Sequence, residues 1–288
     1  MWIADDFAVG KASPVHQLSA TNTNVTLAFQ PVFDREQHGQ IAFFEGLLRI
    51  VNTPDPLFHV QLLSIAESLG FIQDIDLHVL ALTVDMLKRH PDMAASVNIS
   101  QRTILEEGQQ YVRRLAASQV SDRLIVEITE SSEIPVSWVA AFAAGVREVG
   151  ARLAVDDFET GYCDDVLVKA VRPDLLKVVL DDVSVKSQER LERTLQLAME
   201  MGAEVVCEKI DNPEKIILMD QLHVRYIQGF ALSEPIMKAD LQRMRGPSLD
   251  VAVPGNEVRT PAIWLDVPGI RQSLDGHRQI RLVEKTGS

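Results

Sequence analysis

Short apolar runs in this chain end, one after another, on a polar or charged side chain: Glu45, Asn98, Glu127, Asp156 with Asp157, Lys177, Glu208 and Gln228. Carboxylates and an amide oxygen are hard ligands, suited to Mg²⁺ or Mn²⁺ rather than to zinc. Glu45, Asn98, Glu127 and Asp156 can surround one such ion, and Asp156 with Asp157 can share or hold a second. Two ions about 4 Å apart bridge a phosphodiester and lower the pKa of an attacking water. In that chemistry Lys177 positions the water or stabilises charge developing on phosphoryl oxygens. Glu208 is a candidate general base. Each residue alone has a plainer explanation: Asn98 caps the next helix, Lys177 snorkels, Glu127 is a solvated strand end, and the Asp pair is a turn. Repetition along the chain makes the plainer explanations the weaker ones.

Neighbouring side chains on a strand face opposite ways, so Asp156 and Asp157 meet at one point only if the chain bends there. Gly161 offers a hinge for such a bend. The period of the apolar residues predicts strands over 25–33, 41–45, 95–98, 123–127, 152–156, 175–179, 204–208 and 226–229. Helices are predicted over 57–69, 75–87, 102–117, 137–149 and 185–201, with one more from a cap at Asn212 to about residue 222. Strands alternating with helices imply a largely parallel sheet, and eight such units suggest a closed barrel. The C-terminal ends of its strands then converge on one rim, where the side chains named above gather. Residues 1–22 read as a weakly patterned N-terminal extension and 23–245 as the barrel domain. Pro247, Pro254, Pro261 and Pro268 break up 246–288, a C-terminal tail.

Composition narrows the function. A 46% hydrophobic and 24% charged chain suits a soluble globular enzyme. No apolar run approaches the ~20 residues of a membrane segment. The first residues lack the basic and apolar regions of a signal peptide, and the cysteines, Cys163 and Cys207, have neither metal nor disulfide spacing. A reducing, cytoplasmic location is expected. A net charge of −13 argues against a surface that coats a DNA or RNA polymer. An acidic cleft takes a phosphate substrate only where bound cations reverse the local field. The histidines are scattered, with no HxH or HxxxH pair, which disfavours a histidine zinc centre.

Taken together, Phe29-Gln30-Pro31-Val32, Glu45-Gly46-Leu47-Leu48-Arg49, Val97-Asn98-Ile99-Ser100, Glu127-Ile128-Thr129-Glu130, Asp156-Asp157-Phe158, Lys177, Glu208 and Gln228-Gly229-Phe230 resemble the EAL family of cyclic di-GMP phosphodiesterases. The resemblance covers roughly residues 23 to 240. It implies a modified TIM (βα)8 barrel with one antiparallel strand, in place of an all-parallel one. It implies hydrolysis of cyclic di-GMP to linear pGpG with a two-metal site of Mg²⁺ or Mn²⁺. By the same resemblance Glu45, Asn98, Glu127, Asp156 and Asp157 serve the metals, and Lys177 and Glu208 serve the water. Arg49, Gln30 and Gln228 contact the substrate, and Glu130 supports the loop after the Asp pair.

The chain departs from the family pattern at four places. Glu-Ala-Leu is Glu45-Gly46-Leu47. The loop after the Asp pair, which in the family also makes a dimer contact, carries Glu159 for a glycine and Cys163-Asp164 for two serines. Lys-Ile-Asp is Lys177-Val178-Val179, which removes a carboxylate from the face that Lys177 shares and leaves it one partner fewer. Ala-Glu-Gly-Val-Glu is Cys207-Glu208-Lys209-Ile210-Asp211. With the acting residues kept and their supports changed, slowed hydrolysis is expected. The alternatives are a receptor that holds cyclic di-GMP without cleaving it, and a nucleotide-free interaction scaffold. A homodimer and a regulatory protein partner are compatible with this reading.

Overall fold

The alternating apolar runs fold into strands that close on themselves. In this computed structural model the described residues are 24–37, 39–51, 58–129, 135–158 and 165–241. Strands β1 (Asn24–Asp34) and β2 (Gln40–Val51) form an antiparallel hairpin. Strands β3 (Ala95–Ile99), β4 (Leu124–Thr129), β5 (Arg152–Asp156), β6 (Leu175–Val179), β7 (Glu204–Glu208) and β8 (Tyr226–Ile227) then follow, each parallel to the one before. The ring closes where β1 pairs antiparallel with β8 and with β2. A two-residue strand, β9 (Ile236–Met237), adds to β1. This is the (βα)8 barrel with one antiparallel strand that the resemblance implied. The all-parallel expectation fails at β1 for a simple reason. The link from Asp34 to Gln40 is a tight turn, and a parallel crossover needs a dozen residues or more.

Helices α1 (Phe58–Leu69), α2 (Ile72–Arg89), α3 (Gln101–Ala117), α4 (Val136–Glu148), α5 (Asp165–Val171), α6 (Val185–Met201) and α7 (Pro213–Gln221) wrap the ring, and a short α8 (Lys238–Leu241) follows β9. Three of their starts are chemically marked. The side chain of Ser100 accepts from the Thr103 amide, that of Ser184 from Ser187, and that of Asn212 from Lys215 with Pro213 next in line. Gly202 ends α6 in the left-handed conformation that glycine adopts without penalty. The brief α5, β9 and α8 were not foreseen, because elements this short carry too few residues to show a period.

Two apolar layers result. The larger lies between the ring and its helices and includes Leu27, Val97, Ile128, Val155, Leu176, Val178 and Cys207. The smaller fills the ring itself, with Val32, Phe43, Ile125, Ala154, Leu175 and Val206 packed together and Ala42, Ala94 and Tyr226 at their edge. Residues 1–23 and 242–288, which include the predicted extension and tail, lie outside the described residues.

Candidate active site

The inner apolar layer fixes where the polar residues go. Strand side chains on one face recur every second residue. Two positions along from Phe43 stands Glu45; from Ile125, Glu127; from Ala154, Asp156; from Leu175, Lys177; from Val206, Glu208; and from Tyr226, Gln228. On β1, which runs the other way, two positions back from Val32 stands Gln30. Register agrees: Gln30 lies opposite Glu45, and Asn98 opposite Glu127. A floor of apolar side chains thus carries a ring of polar ones toward the C-terminal ends of the parallel strands.

Lys177 sits among these acids. Its Nζ lies 2.7 Å from Glu127, 2.7 Å from Glu208, 3.1 Å from Asp156 and 3.5 Å from Glu45. With Lys177 1% exposed and Glu127 0%, neither is a snorkelling lysine nor a solvated strand end. Asn98 does not cap α3 either, since Ser100 does that. Asn98 Nδ2 instead donates to Glu45 Oε1 at 3.2 Å, and Gln228 Nε2 donates to Glu45 Oε2 at 2.8 Å. Loss of a carboxylate at Val179 therefore has not left Lys177 short of partners.

Electrostatics make the site demanding. Burial pushes the Glu208 carboxyl up to about 8 and lifts Glu127 well above the ordinary carboxylate range, in both cases against the pull of Lys177. Burial by itself lowers the Lys177 ammonium, but Asp156, Glu127, Glu208 and Glu45 outweigh it and hold the proton well above the usual lysine value. Four carboxylates surround one ammonium, so further positive charge, as cations or protons, has to enter.

The donors suit cations. One oxygen each from Glu45, Glu127 and Asp156 lie within 4.8 Å of one another, and so do oxygens from Asp156, Asp157 and Glu208. The two groups share Asp156. Among the described residues, Asn98 Oδ1 and Glu127 Oε1 are buried without a hydrogen-bond partner, the state expected of oxygens kept for a hard ion. Asp157 reaches its group because the chain turns at Asp157 itself, with φ 52 in the left-handed region that aspartate tolerates better than most residues. The turn is held by the Asp157 amide donating to Asp156 Oδ1 at 3.0 Å, and by the amide of buried Phe158 donating to the Lys177 carbonyl at 3.0 Å. Gly161, the predicted hinge, lies outside the described residues, as do Glu130, Glu159, Cys163 and Asp164.

The expected substrate contacts are placed less simply. Arg49 is half-buried on β2, its Nη1 donating to the Leu48 carbonyl at 2.8 Å. Gln30 Nε2 donates to the Ser233 carbonyl at 3.2 Å, and Gln228 holds Glu45. Sequence reasoning missed two features here. A Cβ on Gly229 would lie 2.2 Å from the Ile210 carbonyl oxygen, so glycine is required by close approach. Phe230, the next residue, is 65% exposed and offers a flat aromatic face beside the rim. An aromatic following Gln228-Gly229 was the available signal for both.

Comparison with known proteins agrees with this geometry. The profile of the family described as EAL domain matches residues 16–235. An Escherichia coli K12 protein described as a probable cyclic di-GMP phosphodiesterase, PdeA, is 26% identical over 235 residues, covering 75% of this chain and 31% of that protein. The chain thus spans about a third of that relative's length. A structure described as the PaMucR phosphodiesterase in complex with cyclic di-GMP superposes with a TM-score of 0.69 at 22% identity, covering 78% of this chain and 97% of the other. Klebsiella pneumoniae BlrP1 with manganese and cyclic di-GMP superposes at 0.64 and 21% identity, covering 74% and 56%. Structural likeness at that identity speaks for the fold.

Proposed function

The chain belongs to the EAL domain family, and from that premise we propose that it is a metal-dependent phosphodiesterase that hydrolyses cyclic di-GMP to linear pGpG. The observation that carries this reading is the pair of overlapping carboxylate groups sharing Asp156 around buried Lys177. Glu45, Asn98, Glu127 and Asp156 would hold one Mg²⁺ or Mn²⁺, and Asp156, Asp157 and Glu208 a second, supplying positive charge at the phosphodiester and acidifying the attacking water.

The chain's own residues do the rest. Arg49 pairs its guanidinium with a phosphate of the substrate. Lys177 offers its ammonium to charge growing on the phosphoryl oxygens. Glu208 takes the proton of the attacking water as oxygen adds to phosphorus. The bond from phosphorus to the 3′ oxygen breaks, that oxygen takes a proton from solvent as Glu208 later returns its own to solvent, and the product keeps its 5′ phosphate. Gln228 and Asn98 keep Glu45 oriented by donating to its two oxygens. Phe230 supplies a stacking surface for a guanine.

One observation favours the receptor reading. Glu208, the proposed base, is already engaged by Lys177 at 2.7 Å. Incubating the purified protein with cyclic di-GMP and Mn²⁺, Mg²⁺ or Ca²⁺ and resolving the products by chromatography separates the two. Mn²⁺ and Mg²⁺ are expected to yield pGpG, while Ca²⁺, with its looser coordination, supports binding alone. Tight binding with no pGpG under Mn²⁺ establishes the receptor. Binding unaffected by a chelator, in metal-free protein, removes the two-cation site.

A further inference from the structure

Two strand-end acids of this barrel are each followed by a non-glycine residue in the left-handed region: Asp157 (φ 52) after Asp156, and Lys209 (φ 54) after Glu208. An aspartate accepts that conformation through its short polar side chain. A lysine adopts it at a steric cost that its surroundings have to offset. The turn after Glu208 is tied on both flanks. The Gln228 amide donates to the Cys207 carbonyl at 2.9 Å, the Ile210 amide to the Gln228 carbonyl at 3.0 Å, and the Ala231 amide to the Ile210 carbonyl at 2.9 Å. These bonds hold Cys207 and Ile210. Of the two carbonyls between them, that of Glu208 accepts from the Leu180 amide at 3.3 Å and that of Lys209 from Lys215 Nζ at 2.9 Å.

Lys215 is an unusual donor. It lies in the first turn of α7, where a lysine is ordinarily solvated, yet it is 1% exposed. The same ammonium lies 3.0 Å from Asp211 Oδ1. That carboxylate is half-exposed, so the ion pair contributes little and the bond to the Lys209 carbonyl is the specific part. The Lys215 amide is itself fixed by Asn212 Oδ1 at 3.0 Å, so the ammonium is delivered from a capped helix end.

We propose that Lys215 is a positioning residue. By holding the Lys209 carbonyl it fixes the left-handed turn that follows Glu208, and so sets the direction in which the Glu208 carboxylate meets Lys177 and the Asp156–Asp157 pair. The proposal rests on the phosphodiesterase reading, in which Glu208 takes the proton. It also explains a departure of this chain from its family pattern: Lys209 replaces the glycine that adopts such a turn unaided.

The test compares the native chain, Lys215→Met, Lys209→Gly, and the two substitutions combined. Lys215→Met keeps the stem and removes the donor. Hydrolysis of saturating cyclic di-GMP with Mn²⁺ should fall about 10-fold or more, with KM changed about twofold or less, as for a lost orienting contact. Exchange of the Ile210 amide with solvent should quicken while that of Phe158 stays slow. Adding Lys209→Gly lets the turn form unaided and should restore most of the rate together with the thermal midpoint. A rate that stays low while stability recovers overturns the proposal, as does unchanged exchange at Ile210. If Lys215→Met does not fold, the combined variant should still match Lys209→Gly alone in rate, and a rate about 10-fold lower overturns the proposal. An inert native chain overturns the phosphodiesterase reading instead, and the exchange arm then decides whether Lys215 holds the turn.

Discussion

Lys177 is bonded at 2.7 Å to both Glu127 and Glu208 in a space with almost no solvent. Breaking a buried charge pair by removing one partner costs ~3–5 kcal/mol, because the remaining charge is left uncompensated. Lys177→Met should therefore lower the stability of metal-free protein by about that amount in urea unfolding, with Mn²⁺ returning part of the loss. No loss would mean that the acids are already neutral without the lysine. Glu208→Gln keeps the shape and removes the proton acceptor. It should abolish nearly all hydrolysis while cyclic di-GMP still binds, measured by single turnover and by calorimetry. Near-native turnover in Glu208→Gln would assign the base elsewhere. The contrast separates the two residues, since the lysine acts on folding as well as on chemistry and the glutamate chiefly on chemistry.

At the scale of elements, Asn98 depends on how β3 passes into α3. Asp76 of α2 directs one oxygen at three donors there: the Ser100 amide at 2.9 Å, Ser100 Oγ at 2.7 Å and Thr103 Oγ1 at 2.5 Å. Ser100 is also the cap of α3. Asp76→Ala should cost about 2–3 kcal/mol by denaturant unfolding, since it strands buried donors and loosens the cap. It should also weaken Mn²⁺ binding by moving Asn98, and a variant as stable as the native chain would remove Asp76 from this role. Asp76 was not legible in the sequence, because its three bonds join residues far apart along the chain. Glu45, Glu127, Asp156, Lys177 and Glu208 were legible, because a period of two and a shared rim place them without knowledge of side-chain contacts. What Gln228 does was half legible: strand alternation put it at the site, and only the fold shows its amide bonded to Glu45. The antiparallel β1 was hidden from periodicity, which carries no direction, and was reached through the family motifs. The turns at Asp157 and Lys209 were hidden for a related reason, since neither residue type announces a left-handed backbone.

For the molecule as a whole, the closed ring concentrates acid in its interior within a chain of net charge −13. Without cations, burial makes two of these acids, Glu208 and Glu127, hold their protons to higher pH. Burial pushes Glu208 up to about 8 from an ordinary 4.5 and lifts Glu127 well above the same value, so the folded state holds protons that the unfolded chain releases near 4.5. An acid whose folded pKa is raised leaves the unfolded state with fewer protons through that window, and stability then falls as pH rises across it. The slope is at most ~1.4 kcal/mol per pH unit for each such group. Asp182, held down to about 2 by its hydrogen bonds to Ser184 and Ser187, acts in the opposite direction but only below its ordinary 3.8. Metal-free protein should thus have a lower unfolding midpoint at about pH 8.5 than at about pH 6, and excess Mn²⁺ should raise the midpoint more at the higher pH, since the cation binds deprotonated carboxylates that only the folded chain assembles. Glu208→Gln, which cannot ionise, should flatten part of the metal-free slope. Thermal scans of both proteins, with chelator and with Mn²⁺, read all of these quantities. A metal-free midpoint that rises across the window, or an equal Mn²⁺ gain at both values, would show that the barrel's interior acids are neutralised by something other than exchangeable protons and cations.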